Sequence, residues 1–361
     1  MLVSMDPHVP DGRWPARRGV ALALLAAALF GISTPLLQHA GAGVAPFTTA
    51  ALLYAGAALV GALSRRPREA EARLTRDDVP QLLAMAAFGA VLGPVALAWG
   101  LQRTSATGAS LMLTLEALFT ALLAWRLYHE TMERHVWAAM WLLLAGGIAL
   151  VLDQGLGQRR DGSSQLWGAL AVLAASAAWG VDNALSRRLA ERDPSQVVAA
   201  KAALGACATA LLAWLAGEPL PAMGSALALF AVGASGYGLS LRCYLLAQRA
   251  VGAARTGSVF AFAPFIGAAI AVAAGDRSPG WLMLAGGALM AAGVVLHLAE
   301  SHAHEHEHDA CEHEHAHRHD DAHHEHAHDP MPPGPHSHRH RHAPMRHSHA
   351  HVPDAHHAHR H

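Results

Sequence analysis

The chain has 361 residues, of which 53% are hydrophobic and only 15% charged, with a formal net charge of -1 when histidine is neutral. So few charges cannot coat a water-soluble globule of this size, and the balanced sign excludes the basic surface that nucleic acid selects. The averages hide a division: residues 19 to 298 are strongly apolar, and residues 299 to 361 are almost without large apolar side chains.

In chain order, a short N-terminus (1–18) leads into ten mostly apolar runs at 19–37, 45–63, 79–101, 106–127, 135–152, 166–186, 196–216, 222–246, 257–275 and 280–298. Each is long enough to cross a hydrocarbon layer of about 30 Å at about 1.5 Å per residue. The predicted fold is an all-α integral membrane protein of ten transmembrane helices, followed by a disordered C-terminal tail. The first run follows Arg13, Arg17 and Arg18, as a signal peptide would. It is long and has no small-residue cleavage site before its polar end, so it reads as a retained helix. Small residues four apart, as in GALMAAG (287–293), let helices approach closely where lipid supplies no hydrophobic drive between them. Cys207, Cys243 and Cys311 form no spaced pair, which argues against a disulfide framework or a zinc ribbon.

Arginine placement orients the spans. With the N-terminus inside, one side receives Arg13, Arg17, Arg18, Arg65, Arg66, Arg68, Arg73, Arg76, Arg126, Arg134, Arg187, Arg188, Arg192, Arg249 and Arg255. The other receives Arg103, Arg159, Arg160 and Arg277. Fifteen against four is a strong positive-inside bias and predicts both termini in the cytoplasm. Losing one span would put Arg187, Arg188 and Arg192 on the wrong side, so the bias also supports the count of ten.

The body repeats. AALFGISTPLL (27–37) lines up with SAAWGVDNALS (176–186), LQR (101–103) with AQR (247–249), and GIALVL (147–152) with GVVLHL (293–298), the last two pairs 146 residues apart. The repeats are 19–152 and 166–298, five spans each. Because five is odd, the second enters the membrane from the opposite side, the inverted arrangement typical of transporters that expose a midplane site to each face in turn.

These residues carry a resemblance. The FGISTPLL and WGVDNALS segments, the fourth span's ends (TSATGASLML and LYHE) and the ninth's (GAARTG and APFIGA) resemble the EamA-type transporters of the drug/metabolite transporter superfamily over about 19–298. LEALFTALLAW, VDNALSRR, the lysine in VVAAKAALG, and VGAARTG are similar to a bacterial subgroup. Most members have a proline near the place of Glu116, so the acid departs from the general pattern while fitting the subgroup. The resemblance implies export of small organic metabolites or drugs across the bacterial plasma membrane, commonly in exchange for protons, by a protein that is not an enzyme and requires no cofactor.

The charges inside the spans are the candidate working parts. Glu116 lies ten residues, roughly 15 Å, below the outer end of the fourth span, at the bilayer midplane. An acid there costs about 2.5–3.5 kcal/mol on insertion scales, so it is expected to face a cavity, find a partner or carry a proton. Asp182, low in the inward-running sixth span, and Lys201, low in the outward-running seventh, both fall some 7 to 9 Å above the cytoplasmic surface and are placed to pair. Arg242 shares that layer with a side chain long enough to reach the interface, and Glu130 reads as an interfacial anchor. Ser33 and Thr34 beside Pro35, their repeat mate Asn183, and Thr120 one turn below Glu116 are candidate cavity lining.

Only His8, His39, His129, His135 and His297 precede residue 300; the other 23 of 28 histidines lie in the tail. His302, His304, His306, His308, His313, His315, His317 and His319, interleaved with acids, form a multidentate ligand set for nickel, zinc, cobalt or copper. Two functions follow: a proton-exchanging exporter of organic molecules with a metal-binding tail, or a divalent-metal efflux transporter that captures ions with that tail. The expected partners are the lipid bilayer, a small-molecule substrate, protons and divalent ions.

Overall fold

A computed structural model describes residues 13–64, 72–128, 132, 134–156, 162–186, 189, 192–251, 253–276, 280–298, 303–308, 311–317, 336–342 and 345–350. The first two spans are single helices, α1 (Arg13–Ala40) and α2 (Pro46–Leu63). The third comprises α3 (Val79–Met85), a π-helical segment Ala86–Leu92 and α4 (Gly93–Leu101). The fourth is split into α5 (Ala106–Met112) and α6 (Leu115–Tyr128). Three unbroken helices follow: α7 (Arg134–Leu156), α8 (Gly162–Ser186) and α9 (Pro194–Leu215). The eighth span joins α10 (Met223–Val232), a second π segment Gly233–Leu239 and α11 (Ser240–Val251). The stretch expected as the ninth span is split into α12 (Ala253–Phe260) and α13 (Ala263–Ala273), and the one expected as the tenth is α14 (Trp281–Leu298).

Among the described residues eight helical stretches are long and apolar enough to cross a bilayer, from Arg18–Ala40 to Met223–Ala247, while Ala263–Ala273 and Trp281–His297 are shorter. The first helix is an integral part of the bundle, since Ser240 Oγ donates to the Ala26 carbonyl at 2.8 Å and Ala23, Ala26 and Ala27 are buried.

The repeats pack head to tail. At one end of the α2–α9 pair, Glu218, just past α9, accepts hydrogen bonds from the N–H groups of Phe47 and Thr48 at the start of α2 (3.2 and 2.7 Å). At the other end, the Asp193 N–H before α9 donates to Ala72 O at 2.7 Å, and the Leu74 N–H donates to Gln196 Oε1 at 3.3 Å. The second and seventh spans are therefore antiparallel. So are the fifth and tenth: a Cβ on Gly146 would meet Gly286 O at 2.7 Å, and one on Gly293 would meet Ala139 O at 3.0 Å. Repeat-equivalent helices running in opposite directions are what an inverted duplication requires. The small residues supply the close approach that replaces hydrophobic drive in lipid.

The irregularities recur in both repeats and depart from the expectation of straight helices. In the third span the Gly93 N–H bonds to Phe88 O, five residues back, which releases the Gly89 carbonyl from the ladder. In the eighth the Ser240 N–H bonds to Ser235 O in the same way. The fourth span tightens at Leu113–Thr114, where the N–H groups of Thr114, Glu116 and Ala117 bond three residues back (3.0, 3.1 and 3.2 Å). Ser176 Oγ of α8 lies 3.2 Å from the Met112 carbonyl and covers it. In the ninth span the cause is Pro264, which has no N–H to offer the carbonyl one turn earlier.

Four segments of the tail are described by their backbone. Its backbone forms strands β1 (Ala303–His308), β2 (Cys311–His317), β3 (His336–His342) and β4 (Met345–Ala350), with β1 antiparallel to β4 and β2 to β3. Two-residue alternation is the strand period, and the register sets Glu307 opposite Arg346, Glu312 opposite Arg341 and Glu314 opposite Arg339.

Candidate functional site

The carbonyl released in the third span joins three spans near the centre of the bundle. Gly89 is the hub on one side. Its carbonyl accepts hydrogen bonds from Tyr54 Oη of α2 and from Trp179 Nε1 of α8, the latter at 2.9 Å. On its other face a Cβ would overlap the Asp182 carboxylate and come within 2.7 Å of Lys201 Nζ. Glycine is thus required so that the third span can lie against an ion pair, and the π turn frees a carbonyl to hold the two aromatic donors.

Asp182 and Lys201 form the pair anticipated from depth counting: Lys201 Nζ donates to Asp182 Oδ2, and Asp182 is 6% exposed. Asp182 Oδ1 is buried with no hydrogen-bond partner among the described residues. Glu116 sits in the first turn of α6, immediately below the tightened turn, and is half-buried. Asn183 Nδ2 donates to Glu116 Oε1 at 2.6 Å, tying the fourth span to the sixth. Among the described residues Glu116 has no ion-pair partner, and Asp182 and Lys201 act on it with opposite electrostatic signs.

The remaining expected lining residues occupy less open positions. Ser33 and Thr34 are 2% exposed, and Ser33 Oγ donates to Phe30 O of its own helix at 2.6 Å. Thr120 Oγ1 donates to Glu116 O at 2.9 Å and so supports the turn that carries the acid. Arg242 is exposed at the α11 end. Glu130, His302 and His319 lie outside the described residues, and His304, His306, His308, His313, His315 and His317 fall on β1 and β2, described as backbone alone.

Sequence reasoning missed the aromatic half of the site. Phe30 lies 5.9 Å from Tyr237 and 5.4 Å from Phe260, Tyr237 lies 5.8 Å from Tyr54 and 6.4 Å from Trp179, and Tyr244 lies 5.0 Å from Phe260, all between ring centroids. Six rings from five spans thus make one continuous series. The available signal was three of the chain's four tyrosines in helix interiors. A separate cleft of about 470 Å³ opens between α6, α7 and α8, lined by such residues as Leu118, Trp137, Trp141, Ile148 and Leu170. Its walls are those of a surface that meets hydrocarbon.

The profile of the EamA-like transporter family matches residues 17–152 and again 166–299. The chain belongs to this family. The family and the apolar spans together point to a multi-pass membrane transporter. An uncharacterized transporter of Methanothermobacter thermautotrophicus is 28% identical over 294 residues, covering 74% of this chain and 83% of that protein. A solved crystal structure aligns with a TM-score of 0.55 at 21% identity, covering 78% of this chain and 95% of the other, a likeness of fold. Within the family frame, the split fourth and ninth helices hold the place where discontinuous spans line transporter binding sites.

Proposed function

We propose that the protein is a secondary-active exporter of small organic molecules, built of ten spans in two inverted repeats, with both termini on the cytoplasmic side of a bacterial plasma membrane. The carrying observation is Glu116: an acid with no ion-pair partner among the described residues, in the first turn of a half-helix, between two repeats related by inversion. A carboxylate there can take up a proton from one face and release it to the other as the halves rock, so cargo leaves in exchange for protons. Asp182 and Lys201 position the sixth and seventh spans against Gly89, and Asn183 orients Glu116.

The alternative, divalent-metal efflux fed by the tail, needs several ligands at one depth. The described core offers Asp182 and Glu116, and Lys201 already occupies Asp182, which favours organic cargo. The tail histidines bind nickel, zinc, cobalt or copper in this reading and buffer or regulate.

Proteoliposomes loaded with a pH dye test the exporter reading. Substrate movement is expected to shift lumenal pH in step, and Glu116→Gln to abolish that coupling while the protein still inserts; unchanged coupling in this variant removes the proton role. Deleting 301–361 and challenging cells with nickel, cobalt or zinc separates the cargoes. Metal resistance that needs both body and tail would favour metal efflux.

A further inference from the structure

We propose that the cleft between α6, α7 and α8 is a phospholipid site, in which one acyl chain lies along the apolar floor and the phosphate is held at the mouth by Arg126 and Arg134. The inference needs only that the chain spans a membrane. It goes beyond the exporter reading and is independent of the cargo.

The walls exclude water and admit hydrocarbon. The floor is buried, with Leu115, Leu118 and Met140 at most 6% exposed, while Trp141, Ile148 and Leu170 form exposed lips, so the cleft opens sideways from the bundle. Apart from its two tryptophans no polar side chain lines it. Water there would find almost no hydrogen-bond partners, and an empty cleft would forfeit the dispersion contacts of every side chain on its floor. The gap has a packing cause: Gly146 and Gly293 draw α7 against α14, while α6 meets α7 through Leu115 on Gly147 and meets α8 through Phe119 on Gly180. Along α7 the lining runs from Trp137 to Leu152, about 22 Å at about 1.5 Å per residue. A helix of that length and about 10 Å in diameter occupies about 1,700 Å³, so a cleft of about 470 Å³ takes a slender chain and not a span of a second copy.

The mouth marks the occupant as a phospholipid. Arg126 lies four residues beyond Leu122 on α6, and Arg134 lies three before Trp137 on α7, so each extends a stripe that lines the cleft by one turn. Both are exposed, and among the described residues neither has an ion-pair partner; Glu130 and Glu133, in the connection between them, lie outside the described residues. Two guanidinium forks converging on one end of an apolar groove suit a phosphate, which accepts paired hydrogen bonds from each. Beside them Trp125 and Trp137 pack edge to face at 5.5 Å, the residue type that settles at headgroup level. A groove of about 22 Å exceeds half of a hydrocarbon layer of about 30 Å, so a chain anchored at the mouth must pass the midplane to fill it, and long chains are favoured. Glu116 is not in the lining and sits about 100° around α6 from Leu115, which keeps the lipid apart from the central site.

The test titrates the purified full chain in detergent with dioleoylphosphatidylglycerol, its dioctanoyl analogue and dioleoylglycerol, read by native mass spectrometry. The first is expected to bind about tenfold more tightly than either of the others, since one lacks the chain length and the other the phosphate. Ile148→Trp, which fills the cleft, should expel the lipid, while Val295→Trp, on an exposed face elsewhere, should leave it bound. Arg126→Gln with Arg134→Gln should erase the preference over dioleoylglycerol and keep the preference for long chains. Dioleoylglycerol binding as tightly as the phospholipid, or retention that survives Ile148→Trp, overturns the proposal. Should Ile148→Trp yield no folded protein, the unmodified chain in vesicles containing phosphatidylglycerol with a diazirine on its acyl chain gives the answer. Photolabel concentrated on Leu118, Leu122, Trp141 and Leu144 supports the site; label spread evenly to exposed Leu59, Leu211 and Leu284, or cross-links from the cleft to a second copy in its place, refutes it. None of these readings needs transport, so a protein that moves no cargo but holds the lipid refutes export and leaves this inference standing.

Discussion

The third and eighth spans share one backbone irregularity and face different chemistry. Against Gly89 stand Asp182 and Lys201, a buried ion pair; against Gly236, in the equivalent turn, stands Ser33. Glu116, in the first turn of α6, has Pro264 as its counterpart at the start of α13. The turn at Gly89 meets a charged pair, and the turn at Gly236 meets a neutral hydroxyl. The two turns thus share a backbone bulge while the side chains that meet them differ in charge.

The largest expected effect lies in the charged half. Asp182→Asn or Lys201→Met leaves a buried charge unpaired, which costs about 3–5 kcal/mol, whereas the double variant removes both charges and should recover much of the loss. Melting curves in detergent read this directly, and a double variant no more stable than the worse single one breaks the comparison. On the neutral side Ser33→Ala should cost about 1–2 kcal/mol, since it removes an uncharged hydroxyl that bonds to Phe30 O and meets Tyr237.

Next come the glycines. A methyl at either position overlaps its neighbour, and overpacking typically costs about 1–3 kcal/mol. Gly89→Ala should be the worse of the two, because the neighbours it displaces are a buried ion pair, while Ser33 at Gly236 is uncharged. Transport rates for the two variants sharpen the contrast, and a larger defect from Gly236→Ala reverses it.

The smallest effect is at the end of the bundle away from that pair's inner layer. Glu218→Ala strips the start of α2 of the carboxylate that receives the Phe47 and Thr48 N–H groups, a cap worth about 1 kcal/mol. Asp276 does the same for Thr107 at the start of α5, at 3.0 Å. Hydrogen exchange at Thr48 and Thr107 should rise in the two alanine variants with little change in melting; unchanged exchange means that the caps are idle.

Much of this was legible in the sequence, because hydrocarbon imposes length, apolarity and arginine placement on each span. The Asp182–Lys201 pair followed from those constraints by depth counting, while the repeat and the family resemblance rested on motifs such as FGISTPLL and WGVDNALS. The bond from Asn183 to Glu116 did not. Depth counting assumes straight helices with a uniform rise, and the tightened turn at Leu113–Thr114 and the bulge at Gly89 bring together residues that such counting separates. The glycine run GASGYG (233–238) and the Gly93–Pro94 step mark where the ladder gives way, yet glycine in a membrane helix usually signals packing, so the pattern alone does not distinguish the two. Alternation of His with Glu or Arg in the tail is equally ambiguous, reading as polar coil by composition and as strand by period.

The central claim is that two halves of opposite orientation enclose the site, and the most direct measurement is two-sided cysteine labelling with Cys207, Cys243 and Cys311 replaced by serine. Ala45→Cys and Leu220→Cys, at the joined ends of α2 and α9, should react with an impermeant reagent from the outside, and Thr75→Cys only from the inside. Labelling of positions 45 and 75 from the same compartment would contradict it.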